Sequence, residues 1–286
     1  MHQLLALFLT VLTPVFLVVA VGYLAAPRLQ IEARTMSKVS YYILAPAFVF
    51  NIFSDASIQG YLALRMAAFN IAVTTGCVLV AMLAARLMGR PGPIVAAFVL
   101  VAAFGNAANF GLPIIQFKLG EEALVPASVY FLVLNVYGFV VGVTAAAWNR
   151  GGALDAIRSL VKTPAILAVI PAISVNWLNL EIPLSLERGV GLLAVALIPL
   201  MLLTLGMQLA TMGRPNLNAS VTVASMVRIV VGPALAFALA ALFGLTGIDR
   251  GAGIIQASMP SAVFAVLIAL EYALVPSFVT TTVLVS

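Results

Sequence analysis

The stretch GNAANFGLP, residues Gly105 to Pro113, decides the fold because it interrupts a long apolar run. Two asparagines, two glycines and a proline stand where a continuous membrane helix would otherwise be expected. Proline removes a backbone N–H and clashes with the preceding turn, while asparagine and glycine supply or expose hydrogen-bonding groups. The pattern predicts that the helix over residues 93–117 is broken here.

The composition around this stretch places the chain in a lipid bilayer. Of its 286 residues, 64% are hydrophobic and only 8% are charged. A water-soluble globule of this size needs more polar surface than that. The apolar residues form blocks of the roughly 20 residues that a spanning helix requires, without the short alternating segments of a barrel. The sequence therefore predicts an all-α polytopic membrane protein.

Ten spans are predicted from these blocks. They lie near residues 3–26, 38–54, 63–87, 93–117, 123–147, 163–179, 189–211, 219–243, 251–271 and 273 onward. The first block is interpreted as a retained span rather than a signal peptide, because no Lys or Arg precedes it. The last block is short for a crossing, so we expect the native chain to continue slightly further.

The distribution of basic residues predicts the orientation. The positive-inside rule assigns the loops richest in Lys and Arg to the cytoplasm. These loops contain Arg28, Arg34, Lys38, Arg86, Arg90, Arg150, Arg158, Lys162 and Arg214. Both termini then face the outer side. The net charge of +5 is spread singly between spans, which does not indicate a nucleic-acid partner.

Ten spans divide into two halves of five, and an odd number per half predicts an inverted repeat. The predicted parts are a first repeat, a cytoplasmic linker and a second repeat, at residues 1–148, 149–162 and 163–286. Matched prolines support the duplication. Pro46 and Pro199 are expected to interrupt spans two and seven, and Pro113 and Pro260 spans four and nine.

Span nine carries its own polar interruption, IIQASMPSAV, at residues 254–263. In transporters, two discontinuous helices cross near the bilayer midplane and direct half-helix N-termini toward an anion. Free N–H groups and the positive end of the helix dipole attract a carboxylate there. The alternative is that both prolines only kink packed helices, with Asn and Ser as interhelical hydrogen-bonding groups.

Several longer motifs resemble those of the auxin efflux carrier family, which includes bacterial dicarboxylate permeases and plant auxin carriers. The similarity extends over nearly the whole chain. It rests on LAPAFVFN (44–51), NAANFGLPIIQFKLGEEAL (106–124), KTPAIL (162–167), ALIPLMLLTLGMQL (196–209), VRIVVGP (227–233) and QASMPSAVFAVLIALEY (256–272). The last motif is the most specific.

This resemblance implies a secondary transporter for a small organic anion, on a fold similar to that of bile-acid symporters. It implies a scaffold domain of spans 1, 2, 6 and 7 and a transport domain of spans 3–5 and 8–10. It further implies a homodimer, an elevator-like alternation of access, and a bacterial inner membrane as the location. The expected partners are the substrate anion and the lipid bilayer.

The family's substrate site maps onto the two interrupted spans. The corresponding residues are Asn106, Asn109, Gly111 and Pro113 in span four, with Gln256, Ser258, Pro260 and Ser261 in span nine. Among these, Asn109 is the leading candidate to hydrogen-bond a substrate carboxylate. No cofactor is expected, apart from a sodium ion near Asn106 and Gln256 if transport is sodium-coupled.

Three further polar residues are candidates for gating or coupling. Asn70 and Thr74 stand where the plant carriers have an acid and a lysine, which argues against proton-linked gating by span three. Arg228 lies within span eight; we expect a structural or gating role, with its long side chain reaching toward the cytoplasmic face. Glu271, near the inner end of span nine, is the acid available for proton coupling.

Other functional classes fit the sequence less well. Intramembrane enzymes need paired acids, a Ser/His pair or a metal cluster, whereas the single His is at position 2 and no HExxH motif is present. An enzyme is therefore not expected. A channel or a non-transporting membrane protein remains an alternative, and within transport, uniport, sodium symport and proton coupling all stay open.

Overall fold

The computed structural model of the protein describes residues 8–55, 60–147, 164–211 and 215–286, and these are helical apart from short connections. The predicted linker at 149–162 lies outside the described residues. The α-helices, numbered α1 to α14, are Thr13–Leu29, Ala33–Val39, Ala45–Asp55, Gly60–Leu87, Gly92–Ala103, Leu112–Leu119, Leu124–Ala147, Pro164–Trp177, Leu184–Thr211, Ala219–Met226, Gly232–Ala240, Gly247–Ala257, Phe264–Glu271 and Pro276–Val285.

Helix length and composition agree with a membrane location. Within the described residues, five helical stretches are long and apolar enough to cross a bilayer. They are Ala33–Ser54, Gly60–Leu87, Glu121–Gly142, Leu184–Thr211 and Ala219–Ala240. Shorter apolar helices occupy several other predicted spans, among them Thr13–Leu29 and Pro164–Trp177. The all-helical polytopic class is confirmed, and the ten-span inverted repeat stays a prediction.

Prolines explain an unusual local feature of these helices. Turns of π-helix occupy Phe8–Leu12, Ser40–Leu44, Ala107–Gly111 and Val227–Val231. Each ends two residues before a proline, namely Pro14, Pro46, Pro113 and Pro233. Proline lacks an N–H and its ring clashes with the carbonyl four residues earlier. A wider turn just before the proline relieves this clash, so these helical stretches continue past the proline.

The first predicted pair of proline interruptions is therefore wrong. Pro46 follows a π turn and is the second residue of α3, and the stretch from Ala33 to Asp55 remains helical. Pro199 lies inside α9, which runs from Leu184 to Thr211 without a break. In both helices the cost of the proline is the loss of one hydrogen bond, which neighbouring turns accommodate.

The chain forms two compact units. The first contains the described residues within 1–60, 108–128 and 161–212. In this unit α1 packs on α9 through two glycines. A Cβ added at Gly22 would collide with the backbone of Leu203, and one at Gly206 with the backbone of Val19. Small residues at such contacts let two membrane helices approach closely.

The second unit contains the described residues within 61–107, 129–160 and 213–286. Its helices are α4, α5, most of α7, and α10 to α14. Buried aromatic rings lie between them: Phe69 contacts Phe243 at 6.1 Å between ring centroids, and Phe98 stacks on Phe278 at 5.2 Å. This unit contains the point where two interrupted helices meet.

Candidate functional site

Two helices of the second unit end abruptly inside apolar sequence. Helix α5 ends at Ala103, and helical structure resumes with the π turn at Ala107. Helix α12 ends at Ala257, and α13 begins at Phe264. The interruption in span nine surrounds Pro260, as expected. In span four the interruption lies at residues 104–106, so the prediction that Pro113 itself opens the helix is wrong; Pro113 is the second residue of α6.

The two interruptions pair with each other through backbone hydrogen bonds. Gly105 and Ser261 form an antiparallel bridge. The Asn106 N–H donates to the Pro260 carbonyl at 2.8 Å, and the Ala262 N–H donates to the Phe104 carbonyl at 2.9 Å. Opened backbone groups at membrane depth must find partners within the protein. Each interruption therefore supplies hydrogen-bond partners for backbone groups that the other interruption leaves open.

The Arg228 guanidinium group forms hydrogen bonds to both interrupted spans. Its Nε donates to the Met259 carbonyl at 2.8 Å, and its Nη1 donates to the Ala102 carbonyl at 3.2 Å. One carbonyl belongs to each interrupted span. The Arg228 side chain is 1% exposed, and its Nη2 has no hydrogen-bond partner among the described residues.

The observed position of Arg228 corrects the expectation that its side chain extends toward the cytoplasmic face. The side chain is buried because the π turn Val227–Val231 positions it beside two helix ends whose carbonyls need donors. Gly105 makes this position available: a Cβ added there would collide with the guanidinium. The sequence signal for this role was an arginine inside an apolar span, but its acceptors were not predictable.

The two serines of span nine behave differently. The Ser261 hydroxyl donates to the Val101 carbonyl at 3.1 Å, so it joins α5 to the second interruption. The Ser261 N–H donates to the Ser286 hydroxyl at 3.0 Å. The Ser258 hydroxyl instead donates to the Ile254 carbonyl at 2.7 Å within its own helix. Ser261 thus connects two chain segments, whereas Ser258 makes only a local contact.

Asn106 lies in the first interruption, and its side chain is 6% exposed. Gln256 is fully buried in the last turn of α12. Asn106, Gln256, Ser258, Pro260 and Ser261 all belong to this unit.

The remaining predicted site residues lie in the first unit. Asn109 and Gly111 belong to the π turn Ala107–Gly111, and Pro113 follows in α6. Asn109 is partly exposed, while Gly111 and Pro113 are buried. A ring contact anchors this turn within the unit, because Phe110 meets Phe16 at 5.8 Å between centroids.

The candidates for gating or coupling have separate environments. Asn70 is buried in α4, and its Nδ2 donates to the Tyr130 carbonyl at 3.4 Å. Its Oδ1 and the neighbouring Thr74 hydroxyl have no hydrogen-bond partner among the described residues. Glu271 ends α13, and its side chain lies outside the described part of the structure. Within the described residues, no cluster of three or more His, Cys, Asp or Glu side chains forms a metal site.

Comparison with known proteins finds similarity to membrane transporters. The family described as "Membrane transport protein" matches residues 153–286. An uncharacterized transporter of Methanocaldococcus jannaschii is 24% identical over 275 residues, covering 91% of this chain and 88% of that protein. The "Putative malonate transporter" of Rhizobium meliloti is 24% identical over 286 residues, covering 96% of this chain and 89% of that protein.

A plant protein matches a shorter region. The "Probable auxin efflux carrier component 1b" of Oryza sativa is 29% identical over 134 residues, covering 44% of this chain and 24% of that protein. The resemblance inferred from the sequence motifs is thereby confirmed. The chain is therefore similar to membrane transporters, auxin efflux carriers among them, and this similarity together with its apolar helices supports an integral membrane protein.

Proposed function

We propose that this protein is a secondary transporter that moves a small organic anion, a carboxylate, by alternating access at the two interrupted helices. The observation that carries the proposal is the antiparallel pairing of residues 104–106 with residues 260–262, held by Arg228. Paired interruptions of this kind provide polar backbone at membrane depth without a lipid-exposed opening. A role as an enzyme has no comparable support.

Electrostatics favour an anion over a cation as the substrate. Arg228 neutralises the carbonyl ends of α5 and of the helix before Pro260, which are the negative ends of their dipoles. The N-terminal end of α13 keeps its partial positive charge. No carboxylate among the described residues lies within salt-bridge distance of Arg228. In this proposal the Arg228 guanidinium and the N-terminal end of α13 would complement a carboxylate.

The asparagines would supply the hydrogen bonds that orient the substrate. In this proposal the Asn106 amide, which lies in the first interruption, donates to one carboxylate oxygen. Asn109 remains the leading candidate for a second donor, on the basis of family resemblance. The name of the Rhizobium relative supports a small dicarboxylate as substrate. The backbone turns around Pro113 and Pro260 would shape the rest of the site.

The transport cycle is proposed to follow the family's elevator pattern. Spans 3–5 and 8–10 would move as a transport domain against a scaffold of spans 1, 2, 6 and 7. A homodimer would hold the scaffold in the inner membrane of a bacterium, with both termini outside. A negative-inside potential favours anion exit by about 2.3 kcal/mol per charge per 100 mV, so export needs no coupling ion. Sodium or proton symport is the alternative on the same fold.

The test is uptake of radiolabelled carboxylates, including malonate, by proteoliposomes containing the full-length protein. Voltage, sodium and proton gradients are imposed separately. Saturable flux driven by voltage alone indicates an anion uniporter, whereas a sodium or proton requirement indicates symport. Asn106→Ala and Asn109→Ala are expected to abolish saturable uptake while leaving the elution volume of the purified protein unchanged. Absence of flux for every carboxylate would contradict the proposed function.

A further inference from the structure

The two interruptions bring two helix C-termini together. Helix α5 ends at Ala103 and α12 ends at Ala257, and the segments that follow them pair through an antiparallel bridge. The last carbonyls of a helix have no partner within it, and the helix dipole adds partial negative charge at this end. In secondary transporters, such half-helix ends and opened carbonyls coordinate the coupling cation. The sodium ion considered near Asn106 and Gln256 would belong at this pair of helix ends.

The Arg228 side chain already supplies a positive charge to both helix ends. Its Nε donates to the carbonyl of Met259, two residues beyond the end of α12, at 2.8 Å. Its Nη1 donates to the carbonyl of Ala102, in the last turn of α5, at 3.2 Å. A guanidinium group remains protonated in proteins. The two helix ends therefore share one permanent charge that belongs to the chain.

Neighbouring carbonyls that could complete a metal site also have donors. The Val101 carbonyl accepts from the Ser261 hydroxyl at 3.1 Å, and the Phe104 carbonyl accepts from the Ala262 N–H at 2.9 Å. A hard metal cation needs several oxygen ligands at once. A metal ion at these helix ends would have to compete with the arginine and with these donors for the same oxygen atoms.

The second unit offers little negative charge to balance a second cation. Asp249 is the acid of this unit whose side chain the structure describes, and it lies in the first turn of α12. Ala257 ends the same helix, about 12 Å further along its axis at 1.5 Å per residue. Like charges repel strongly in a buried region, because the effective dielectric constant is low. A metal cation beside Arg228 is therefore unfavourable.

The guanidinium group also keeps one nitrogen atom available to an anion. The Arg228 Nη2 is buried and has no hydrogen-bond partner among the described residues. It lies against the first interruption, since it is the atom nearest to a Cβ added at Gly105. A coupling cation has two electrostatic effects, because it neutralises the carbonyl ends and attracts the anion. The position of Arg228 allows one side chain to have both.

We propose that the Arg228 guanidinium takes the place of the coupling cation at the interruptions, so that this carrier binds and moves no Na⁺ with its anion. The inference rests on the proposed function, because it concerns how that transport is driven. A bound Na⁺ leaves the protein on the far side of the membrane in each cycle, whereas the guanidinium stays attached to the chain. The membrane potential then acts on the substrate's charge without a co-transported metal ion.

The first arm of the test measures cation binding without transport. Purified full-length protein in detergent is heated in NaCl or in choline chloride at equal ionic strength. The unsubstituted protein is expected to have the same Tm in both salts. Arg228→Ala removes the charge and leaves space, so Na⁺ at about ten times its Kd should raise the Tm of this variant by about 3 °C. Added guanidinium ion should do the same.

Two further variants separate the charge from a purely structural role. Arg228→Lys keeps a positive charge at this position, so its Tm should not depend on Na⁺. Arg86→Ala removes an exposed arginine near the end of α4 and should also gain no dependence on Na⁺. If Arg228→Ala does not fold, the unsubstituted protein and Arg228→Lys decide the question, because Na⁺-dependent stabilisation of either one would contradict the proposal.

The second arm measures voltage-driven malonate uptake by proteoliposomes in Na⁺ or in choline. Equal uptake in both is expected. A higher Tm of the unsubstituted protein in NaCl, or rescue of Arg228→Ala by guanidinium but not by Na⁺, would overturn the proposal. Uptake that requires Na⁺ would overturn it as well, while leaving carboxylate transport in place as symport. Absence of uptake for every carboxylate would contradict the proposed function, and the Tm comparison would still decide whether Na⁺ binds.

Discussion

The two interruptions in the second unit differ in length and in the position of the nearby proline. The first interruption takes three residues, Phe104 to Asn106, and its proline lies further along, inside the next helical stretch. The second takes six residues, 258–263, and contains Pro260. Since only one interruption includes a proline, the proline is not what ends both helices.

The feature shared by both interruptions is a set of carbonyls with donors from elsewhere in the unit. Val101, Ala102 and Phe104 receive donors from Ser261, Arg228 and Ala262. Met259 and Pro260 receive donors from Arg228 and Asn106. An interruption at membrane depth is stable when its exposed backbone groups are satisfied. The comparison therefore indicates that reciprocal hydrogen bonding, more than proline, maintains both interruptions.

The largest effect is expected for Arg228→Met. Methionine has similar length but no donor, so the carbonyls of Ala102 and Met259 both lose a charged partner. We expect loss of carboxylate uptake and a decrease of about 3 kcal/mol in the free energy of unfolding, measured by denaturant titration in detergent. Arg86→Met, at an exposed arginine, is the control and should change stability by less than about 0.5 kcal/mol. Equal stability of both variants would show that Arg228 does not hold the interruptions.

Gly105→Ala is expected to have the next largest effect. The added Cβ would collide with the Arg228 guanidinium in the tightest part of the first interruption. Overpacking of this kind costs about 2 kcal/mol, and uptake should fall with it. Gly189→Ala is the matched control, because a Cβ at Gly189 in α9 meets no atom within 4 Å. A thermal-shift assay measures the stability of both variants. If Gly105→Ala is as stable and active as the unsubstituted protein, the prediction is contradicted.

A pair of serine substitutions separates contacts between segments from local contacts. Ser261→Ala removes the donor to the Val101 carbonyl and should lower the free energy of unfolding by about 1–2 kcal/mol. Ser258→Ala should cost less than about 0.5 kcal/mol, because the Ile254 carbonyl still accepts from the Ser258 N–H. Chemical denaturation of the two variants side by side measures the difference. Equal costs would mean that the Ser261 hydrogen bond adds nothing to the pairing.

The smallest effects on stability are expected for the two prolines. Pro113→Ala restores an N–H within a helical stretch, and Pro260→Ala leaves the Pro260 carbonyl to accept from the Asn106 N–H. Each should change stability by about 0.5 kcal/mol, while slowing uptake more than it weakens folding. We expect the larger slowing for Pro260→Ala, since Pro260 lies within the interruption. Faster or unchanged uptake in both variants would exclude a role for the prolines in alternating access.

Much of this molecule was predictable from local chemistry. Runs of apolar residues predicted ten spans, and five described helical stretches are long and apolar enough to cross a bilayer, because hydrophobic length is a property of the sequence alone. The polar residues in GNAANFGLP and IIQASMPSAV predicted two interrupted helices, since unsatisfied backbone needs polar neighbours. The prediction that a proline interrupts its span was wrong at Pro46, Pro113 and Pro199. A π turn or a neighbouring helical turn accommodates the proline there without ending the helix.

The sequence by itself determined that this is a helical membrane protein with two polar interruptions, and its motifs indicated the transporter family. Only the tertiary structure decided that Arg228 is buried between the interruptions, that Gly105 leaves room for it, and that Ser261 rather than Ser258 joins two segments. The physical reason is that polarity and helix length are local properties. Hydrogen-bond partners separated by 126 or 160 residues are chosen by packing.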